Sequence, residues 1–322
     1  MAYQNFGFQA EKIGNILTRR HSFGPMAVGT VAAALAVDRG AEYWERRRQS
    51  DKASFITETN DRERSIYTLP GCRTDGRLVA EMLQPQFQAI GDTTFVAYPQ
   101  KGFSLDSIKD GLLTAREKEK DKPASIYAIS MGGLVLNALL ADPEFRDNFG
   151  KLDTIVLDSS PSGIKDVRRS SRFALEYAAM FRDSWTMTQL AKHIMERRST
   201  KSLEHEEHIS DEQLRRYTVS SARTPLHLTR SQGDFIRKSH LEPDSLKGVA
   251  DNKYFLHSAY DSVVNTDNAF IQYDQAFGGG LIDVVDESRP HGSHAAGFGF
   301  QRKIVDLLQS NDSATELERL PS

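Results

Sequence analysis

A chain of 322 residues with a net charge of −3 gives no electrostatic reason to expect a nucleic-acid partner, because its 41 basic residues are scattered and outnumbered by 44 acidic residues. Its single cysteine, Cys72, excludes an intrachain disulfide, so the composition does not imply an oxidising compartment. Hydrophobic residues form 39% of the chain and charged residues 26%, as in globular proteins with a polar surface, and the length suffices for one domain with an insertion or for two domains.

The start of the chain differs in composition from the rest, and residues 1–60 are predicted to form an N-terminal extension. Residues 23–37 are apolar except for Thr30, and charged residues flank the run on both sides. Fifteen residues are fewer than the ~20 that a helix needs to cross a bilayer. We expect an apolar helix packed on the domain, and the alternatives are a weak membrane anchor and the apolar part of an export signal. The favoured location is the cytoplasm, with membrane association through residues 23–37, or export, as the alternatives.

From residue 61 the sequence alternates between strand-like and helix-like segments. Runs of β-favouring residues predict strands at 65–69, 93–98, 124–129 and 154–157, and apolar residues at helical spacing predict helices at 75–90, 105–118 and 132–140. Alternation of this kind predicts an α/β fold, with a mostly parallel sheet and helices on both of its faces. In such sheets functional groups collect beyond the carboxyl ends of the strands.

The alternation is interrupted by residues 163–250, which are predicted to be mostly helical and are rich in charged residues. It resumes with predicted strands at 254–257 and 281–285 and predicted helices at 267–275 and 295–308. We therefore predict a core that consists of residues 61–162 and 251–310. Residues 163–250 form a segment inserted into this core, and residues 311–322 form a polar tail.

The junction between the predicted strand at 124–129 and the next helix carries a chemical signature, Ser130-Met131-Gly132-Gly133. Because the chain must reverse within a few residues, a serine at this point adopts a strained backbone conformation. The residues two before and two after it must be small, or the strand and the helix collide, and Ala128 and Gly132 meet this requirement. A turn that merely joins the two elements is the alternative interpretation.

This junction resembles the nucleophile elbow of the α/β-hydrolase superfamily, in particular its esterase and lysophospholipase-like members with a Ser-Met-Gly-Gly sequence. The superfamily usually has glycine where this chain has Ala128. The resemblance covers about residues 62–310 and implies an α/β-hydrolase fold, in which residues 163–250 form a helical cap over the active site. It also implies a serine hydrolase in which Ser130 is the nucleophile and no cofactor is required.

In this superfamily a carboxylate and then a histidine follow the serine along the chain, each just beyond a late strand. The histidine takes the proton of the serine hydroxyl, and the carboxylate orients the histidine. Asp261 lies just past the predicted strand at 254–257, in an Asp-x-Val-Val sequence that resembles the acid loop of the superfamily. Asp158, at the end of the strand after the elbow, is the alternative acid.

The base is expected in the last loop before the final helix, which holds His291 and His294. His294 is favoured, because it stands at the start of the predicted final helix, as the histidine of the superfamily does. His291, which follows a proline, is the alternative. The two histidines do not predict a zinc site, because no Cys, Asp or Glu lies at a ligand spacing from them.

An oxyanion hole requires two backbone N–H groups aimed at the negative charge that develops during the reaction. The resemblance assigns one of them to Met131, directly after the serine, and the other to the loop after the first core strand. That loop reads Pro70-Gly71-Cys72 where the superfamily usually has His-Gly, so the N–H of Cys72 is the expected second donor.

The sequence therefore predicts a serine hydrolase that cleaves a carboxylic ester or thioester of a small molecule or lipid through an acyl-enzyme. Two alternatives stay open, because a fold never guarantees an activity. One is a binding protein that keeps the fold without turnover. The other is an acyltransferase that uses the same serine, histidine and aspartate.

Overall fold

The computed structural model describes residues 50–169, 171–172, 224, 226–258, 261, 263–286, 291 and 298–309. The predicted apolar helix at residues 23–37, the polar tail at 311–322 and His294 lie outside the described residues. Over the described ranges the chain forms seven strands and seven helices. None of these helices is long and apolar enough to span a membrane.

The elements follow one another as the alternation in the sequence predicts. The strands are β1 (Ser54–Glu58), β2 (Ser65–Leu69), β3 (Asp92–Ala97), β4 (Ala124–Ile129), β5 (Leu152–Asp158), β6 (Ala250–Ser258) and β7 (Ile282–Asp286). The helices are α1 (Gly76–Phe87), α2 (Leu105–Glu117), α3 (Met131–Ala141), α4 (Pro143–Phe149), α5 (Leu226–Lys238), α6 (Thr266–Ala276) and α7 (Phe298–Gln309).

The strands form one sheet in the order β1-β3-β2-β4-β5-β6-β7. All neighbouring strands are parallel except β1, which runs antiparallel to β3 at the edge. The mostly parallel sheet that the sequence predicted is therefore confirmed. Because the parallel strands point the same way, the loops that follow β2, β4, β5 and β6 meet at one edge of the sheet, where functional groups are expected.

Helices cover both faces of the sheet. On one face, α1 and α7 contribute buried side chains to a shared cluster that includes Val79, Leu83, Phe87, Ile304 and Leu307. On the other face, α2, α3, α4 and α6 contribute to a larger cluster that includes Ile108, Leu134, Leu139, Phe145 and Tyr273. The strands β2, β3 and β4 are buried at every residue, so they lack the polar alternation of strands that have one wet face.

The sheet begins earlier than the predicted core boundary at residue 61. Strand β1 pairs with β3 along its whole length, from Ser54 opposite Ala97 to Glu58 opposite Thr93. The predicted N-terminal extension therefore contains a strand of the core. This strand was not predicted, because β1 lies at the edge of the sheet and is largely exposed, so no continuous apolar run marks it in the sequence.

A second element that the sequence analysis missed is the short helix α4. Asp142 caps this helix, because its Oδ1 accepts hydrogen bonds from the N–H groups of Glu144 and Phe145 over 2.9 and 3.4 Å. Pro143 occupies the first turn. An aspartate followed by a proline is a known signal for the start of a helix, so this element could have been predicted.

Part of the inserted segment, residues 163–250, is described and packs against the core. Val167 forms an antiparallel bridge with Val264, in the loop after β6. Helix α5 joins the larger core cluster through Leu228 and Ile236. The middle of the segment, residues 173–223, lies outside the described residues, so the helical cap stays a prediction.

Deleting residues 1–60 is expected to destabilise the protein, although the core was predicted from the sequence to begin only at residue 61. The deletion removes β1, exposes the edge of β3 and removes Phe55, whose ring lies against Gly111 in α2. Loss of this partly buried aromatic side chain alone should cost about 2 kcal/mol. Deletion of residues 1–49 keeps β1 and is the control. Chemical unfolding of the two truncated chains measures the difference, and equal unfolding free energies would contradict the expectation.

Candidate active site

The turn between β4 and α3 places Ser130 at the edge of the sheet where the strand ends meet. Ser130 has a φ of 49° and a ψ of −117°, a strained conformation for a residue with a side chain. The N–H of Ser130 donates to the carbonyl of Asp158 over 2.8 Å, and the N–H of Gly133 donates to the carbonyl of Ser130 over 3.0 Å. The strained serine that the sequence predicted is therefore present and is held by hydrogen bonds to its backbone.

Close packing explains the small residues around this serine. A Cβ on Gly132 would lie 2.3 Å from the carbonyl oxygen of Leu69 in β2, and a Cβ on Gly133 would lie 2.5 Å from the side chain of Ser160. Both distances are far inside van der Waals contact, so neither position tolerates a side chain without a shift of the backbone. Ala128, two residues before the serine, is fully buried.

The imidazole of His291 connects Ser130 to Asp261. Its Nε2 lies 2.8 Å from Oγ of Ser130, and its Nδ1 lies 2.7 Å from Oδ2 of Asp261. Because an ionised carboxylate can only accept hydrogen bonds, this arrangement assigns the proton to Nδ1 and leaves Nε2 as the acceptor. A histidine in this tautomer is able to take the proton of the serine hydroxyl.

The structure shows the position of one of the two candidate histidines. The sequence analysis favoured His294, but its alternative, His291, occupies the position between the serine and the aspartate. His294 lies outside the described residues. Chain order could not separate the two histidines, because they stand three positions apart before the same final helix. The assignment of the base to His291 in place of His294 is therefore a proposal, which the contacts of His291 with Ser130 and Asp261 support.

Asp261 is fixed by its own loop. Its Oδ1 accepts hydrogen bonds from the N–H of Val263 over 2.7 Å and from the N–H of Val264 over 2.8 Å, while its Oδ2 faces His291. Asp261 is only 1% exposed. A buried carboxylate needs such partners in place of water, and both oxygens of this one have them. The first choice of acid therefore lies where the sequence predicted it, against the histidine.

Two carboxylates influence the protonation of His291. Burial by itself lowers the pKa of His291, but the charge of Asp261 and the hydrogen bond to it outweigh burial, and the charge of Asp158 acts in the same direction. The pKa of His291 is therefore raised above its usual value. Asp158, the alternative acid, acts on the histidine as a nearby charge, and its Oδ2 accepts a hydrogen bond from the hydroxyl of Tyr127 over 2.5 Å.

Arg168, which the sequence analysis did not single out, holds the acid loop. Its Nε donates to the carbonyl of Asp261 over 2.5 Å and to the carbonyl of Val264 over 3.2 Å, and its N–H donates to the carbonyl of Val263 over 2.8 Å. The arginine and the aspartate are 93 positions apart in the chain. No local sequence pattern could therefore have identified this contact.

The loop after β2 runs beside the serine. A Cβ on Gly71 would lie 3.3 Å from Cβ of Ser130, and Cys72 follows Gly71 in this loop. Met131 is the first residue of α3 and comes directly after the serine. The two predicted N–H donors thus belong to segments that adjoin Ser130, and their aim at an oxyanion stays a prediction.

The thiol of Cys72 is unsuited to act as a nucleophile itself. Burial raises the pKa of this thiol to about 11, and the charge of Arg73 opposes the effect only in part. The thiol is therefore protonated at neutral pH, whereas the thiolate is the reactive form. In the part of the chain that the structure describes, no group of three or more His, Cys, Asp and Glu side chains could hold a metal ion.

The raised pKa of His291 is open to measurement by NMR titration of the histidine side chains. We expect a value above the ordinary ~6.5, because the charge of Asp261 favours the imidazolium. Asp261→Asn removes that charge and should lower the pKa of His291. Asp283→Asn removes a carboxylate that contacts a different histidine, His257, and should leave the pKa of His291 unchanged. A wild-type value below the ordinary ~6.5 would contradict the expectation.

The sequence matches no protein-family model and no curated protein. Several solved structures are nevertheless similar over most of the chain. MenH from S. aureus is 15% identical with a TM-score of 0.61, over 80% of this chain and 98% of that one. The esterase EaEST from Exiguobacterium antarcticum is 14% identical with a TM-score of 0.59, over 81% and 99%. The enol-lactonase from Burkholderia xenovorans is 14% identical with a TM-score of 0.55, over 80% and 96%.

Similarity at this level of sequence identity concerns the path of the chain and not its chemistry. The order of the strands, the single antiparallel edge strand and the strained serine after β4 are all described above independently of these structures. The solved structures add that a similar path of the chain extends over nearly their whole length. The chain therefore has the α/β-hydrolase fold, as its elbow sequence led us to expect.

Proposed function

We propose that the protein is a serine hydrolase that cleaves a carboxylic ester or thioester through an acyl-enzyme. The observation that supports this most directly is the chain of hydrogen bonds from Ser130 through His291 to Asp261, with distances of 2.8 and 2.7 Å. The similar structures include an esterase and an enol-lactonase, which supports hydrolysis as the class of reaction.

In the proposed first step, Oγ of Ser130 attacks the carbonyl carbon of the substrate while Nε2 of His291 takes the hydroxyl proton. The imidazolium that forms is stabilised by the buried carboxylate of Asp261. The tetrahedral intermediate then collapses, and the imidazolium returns its proton to the departing alcohol or thiol. Water repeats the sequence on the acyl-enzyme, which releases the acid and restores the serine.

In this proposal the N–H groups of Met131 and Cys72 stabilise the oxyanion of each tetrahedral intermediate. A backbone donor at a helix start adds the positive end of the helix dipole, because the first N–H groups of a helix have no partner within it. Met131 is such a residue, since it begins α3. Removal of one donor from sites of this kind typically slows turnover about 10²- to 10³-fold.

A non-catalytic binding protein is the first alternative. The strained backbone of Ser130 argues against it, because such strain costs on the order of 1–3 kcal/mol and a binding function does not require it. An acyltransferase is the second alternative and would use the same three residues. It differs only in the acceptor that attacks the acyl-enzyme, so product analysis with added alcohols separates it from a hydrolase.

Ser130→Ala is expected to abolish hydrolysis of p-nitrophenyl esters, with a loss of about 10⁴- to 10⁶-fold in kcat. The same variant should resist labelling by a fluorophosphonate, which reacts with an activated serine. Ser125→Ala is the matched control, because Ser125 is a buried serine of β4, the strand that leads to Ser130, and its Oγ has no hydrogen-bond partner among the described residues. If Ser130→Ala retains substantial activity, the proposed nucleophile is wrong.

His291→Ala is expected to fall to the activity of Ser130→Ala, because removal of the general base leaves the serine hydroxyl unactivated. His294→Ala serves as the comparison and should lose much less. Initial rates on one p-nitrophenyl ester decide the ranking, with circular dichroism to show that both variants fold. The reverse ranking would return the base to His294.

A further inference from the structure

Helix α5 of the inserted segment places a buried glutamine against the loop that carries Cys72. Gln232 is completely buried, and its Oε1 accepts a hydrogen bond from the N–H of Arg73 over 3.0 Å. The thiol of Cys72 lies 3.6 Å from the same oxygen. Because a backbone N–H can only donate, the contact with Arg73 also fixes which end of the amide is the oxygen.

We propose that Gln232 is a positioning residue for the oxyanion hole, which it aligns by holding the peptide units on the C-terminal side of Cys72. This inference rests on the proposed hydrolase function. Oε1 contacts both the side chain of Cys72 and the N–H of the next residue, so it restricts rotation about the backbone of Cys72. The N–H of Cys72, which is the proposed donor, then keeps a fixed direction relative to Ser130.

The conformation of the loop shows why such a restraint is needed. Arg73 has a φ of 61°, in the left-handed region that residues with a side chain seldom adopt. Strain of this kind persists only where the surroundings enforce it. Gln232 binds the N–H of Arg73, and Oγ1 of Thr224 donates to its carbonyl over 2.9 Å. Both backbone groups of the strained residue are therefore held by the inserted segment.

The other side of Cys72 is anchored independently of the inserted segment. The hydroxyl of Tyr98 donates to the carbonyl of Pro70 over 2.7 Å, and the N–H of Thr74 donates to the carbonyl of Gly71 over 3.3 Å. The N–H of Cys72 belongs to the Gly71–Cys72 peptide, which the Thr74 bond holds at its carbonyl end and which Gln232 restrains at its other end through Cys72 and the following N–H. Loss of the Gln232 contact would thus leave the loop in place and remove the restraint at the Cys72 end of that peptide. We therefore expect a change in the aim of a donor, and not the loss of the loop.

The rest of the amide indicates that Gln232 is not there simply to fill space. Among the described residues, its Nε2 is buried without a hydrogen-bond partner. An unpaired buried amide is unfavourable, and an apolar side chain of the same length would avoid it. The bond from the N–H of Arg73 to Oε1 offsets this cost, because it gives a buried backbone donor an acceptor.

Ser231, which precedes Gln232 in α5, offers a matched control for substitutions of Gln232. Oγ of Ser231 accepts a hydrogen bond from the N–H of Phe103 over 2.6 Å, in the loop after β3, which carries no proposed oxyanion donor. The rings of Phe103 and Phe235 also pack together, with centroids 4.5 Å apart. Helix α5 is therefore attached to the core at points that do not involve Gln232, and a change at Gln232 should not detach it.

The experiment compares Gln232→Met, Gln232→Glu and Ser231→Ala with the wild type. Kinetics on a p-nitrophenyl ester give kcat and KM, and the rate of labelling by a fluorophosphonate reports stabilisation of the charged oxygen at Ser130. Gln232→Met keeps the length but loses the acceptor, so kcat and the labelling rate should fall about 10- to 100-fold with KM nearly unchanged. Ser231→Ala should retain the wild-type kcat and labelling rate.

Gln232→Glu keeps an acceptor for the N–H of Arg73 and so tests the proposal even where Gln232→Met fails to fold. An ionised carboxylate beside the oxyanion hole should repel the developing negative charge, whereas the protonated acid should behave like the amide. The activity of this variant relative to the wild type should therefore decline as pH rises. Circular dichroism at each pH confines the comparison to folded protein, for which a purely structural role predicts no such trend.

The result distinguishes this inference from the proposed function. If the wild type reacts with the fluorophosphonate and Gln232→Met reacts equally fast, the positioning role is wrong and the hydrolase proposal stands. An equal loss in Ser231→Ala and Gln232→Met would also overturn it, because that would reflect general loosening of α5. If the wild type itself neither reacts nor hydrolyses esters, the proposed function fails, and this inference fails with it.

Discussion

The site depends on one strained turn, at Ser130. A positive φ at a residue with a side chain costs on the order of 1–3 kcal/mol and persists only where packing leaves no other path. Here the carbonyl of Leu69 lies where a side chain of Gly132 would have to go, and the end of β5 accepts the hydrogen bond from the N–H of Ser130. Burial of α3 along almost its whole length supplies the energy that offsets the strain.

The parallel sheet brings the polar groups to this turn. Ser130 follows β4, Asp261 follows β6 and His291 follows β7, and the carboxyl ends of these strands lie at the same edge. The separations between the three side chains are therefore set largely by the spacing of the strands. The buried position of Asp261 strengthens its attraction for a charged imidazole, because water is not present to screen it. Fold and electrostatics thus act in the same direction on the histidine.

The inserted segment supports the site from two directions. Near its start, Arg168 donates to the backbone of the loop that contains Asp261. Near its end, Gln232 of α5 accepts from the backbone of the loop that contains Cys72. Each of these loops also carries bonds of its own, so the insertion adds restraints to loops that already have a defined path. These contacts indicate that the inserted segment also supports the loops of the site, in addition to any role as a cover.

Short-range patterns in the sequence determined most of the sheet, because buried strands and amphipathic helices leave continuous signals within a few residues. The observed β2, β4 and α3 lie within one residue of the predicted elements, and the strained serine follows from the glycines beside it. Asp261 was predicted because a single acidic residue directly follows the late strand with the expected sequence.

Only the tertiary structure decided the features that depend on contacts between distant parts of the chain. The exposed edge strand β1 has no strong pattern of its own and forms by pairing with β3. The contacts of His291 join it to residues 161 and 30 positions away, whereas chain order treats His291 and His294 alike. Arg168 and Gln232 lie about 90 and 160 positions from the loops they hold, and no local pattern encodes bonds of that range. The sequence alone therefore determined the elements and the serine, whereas long-range packing decided which side chains complete and support the site.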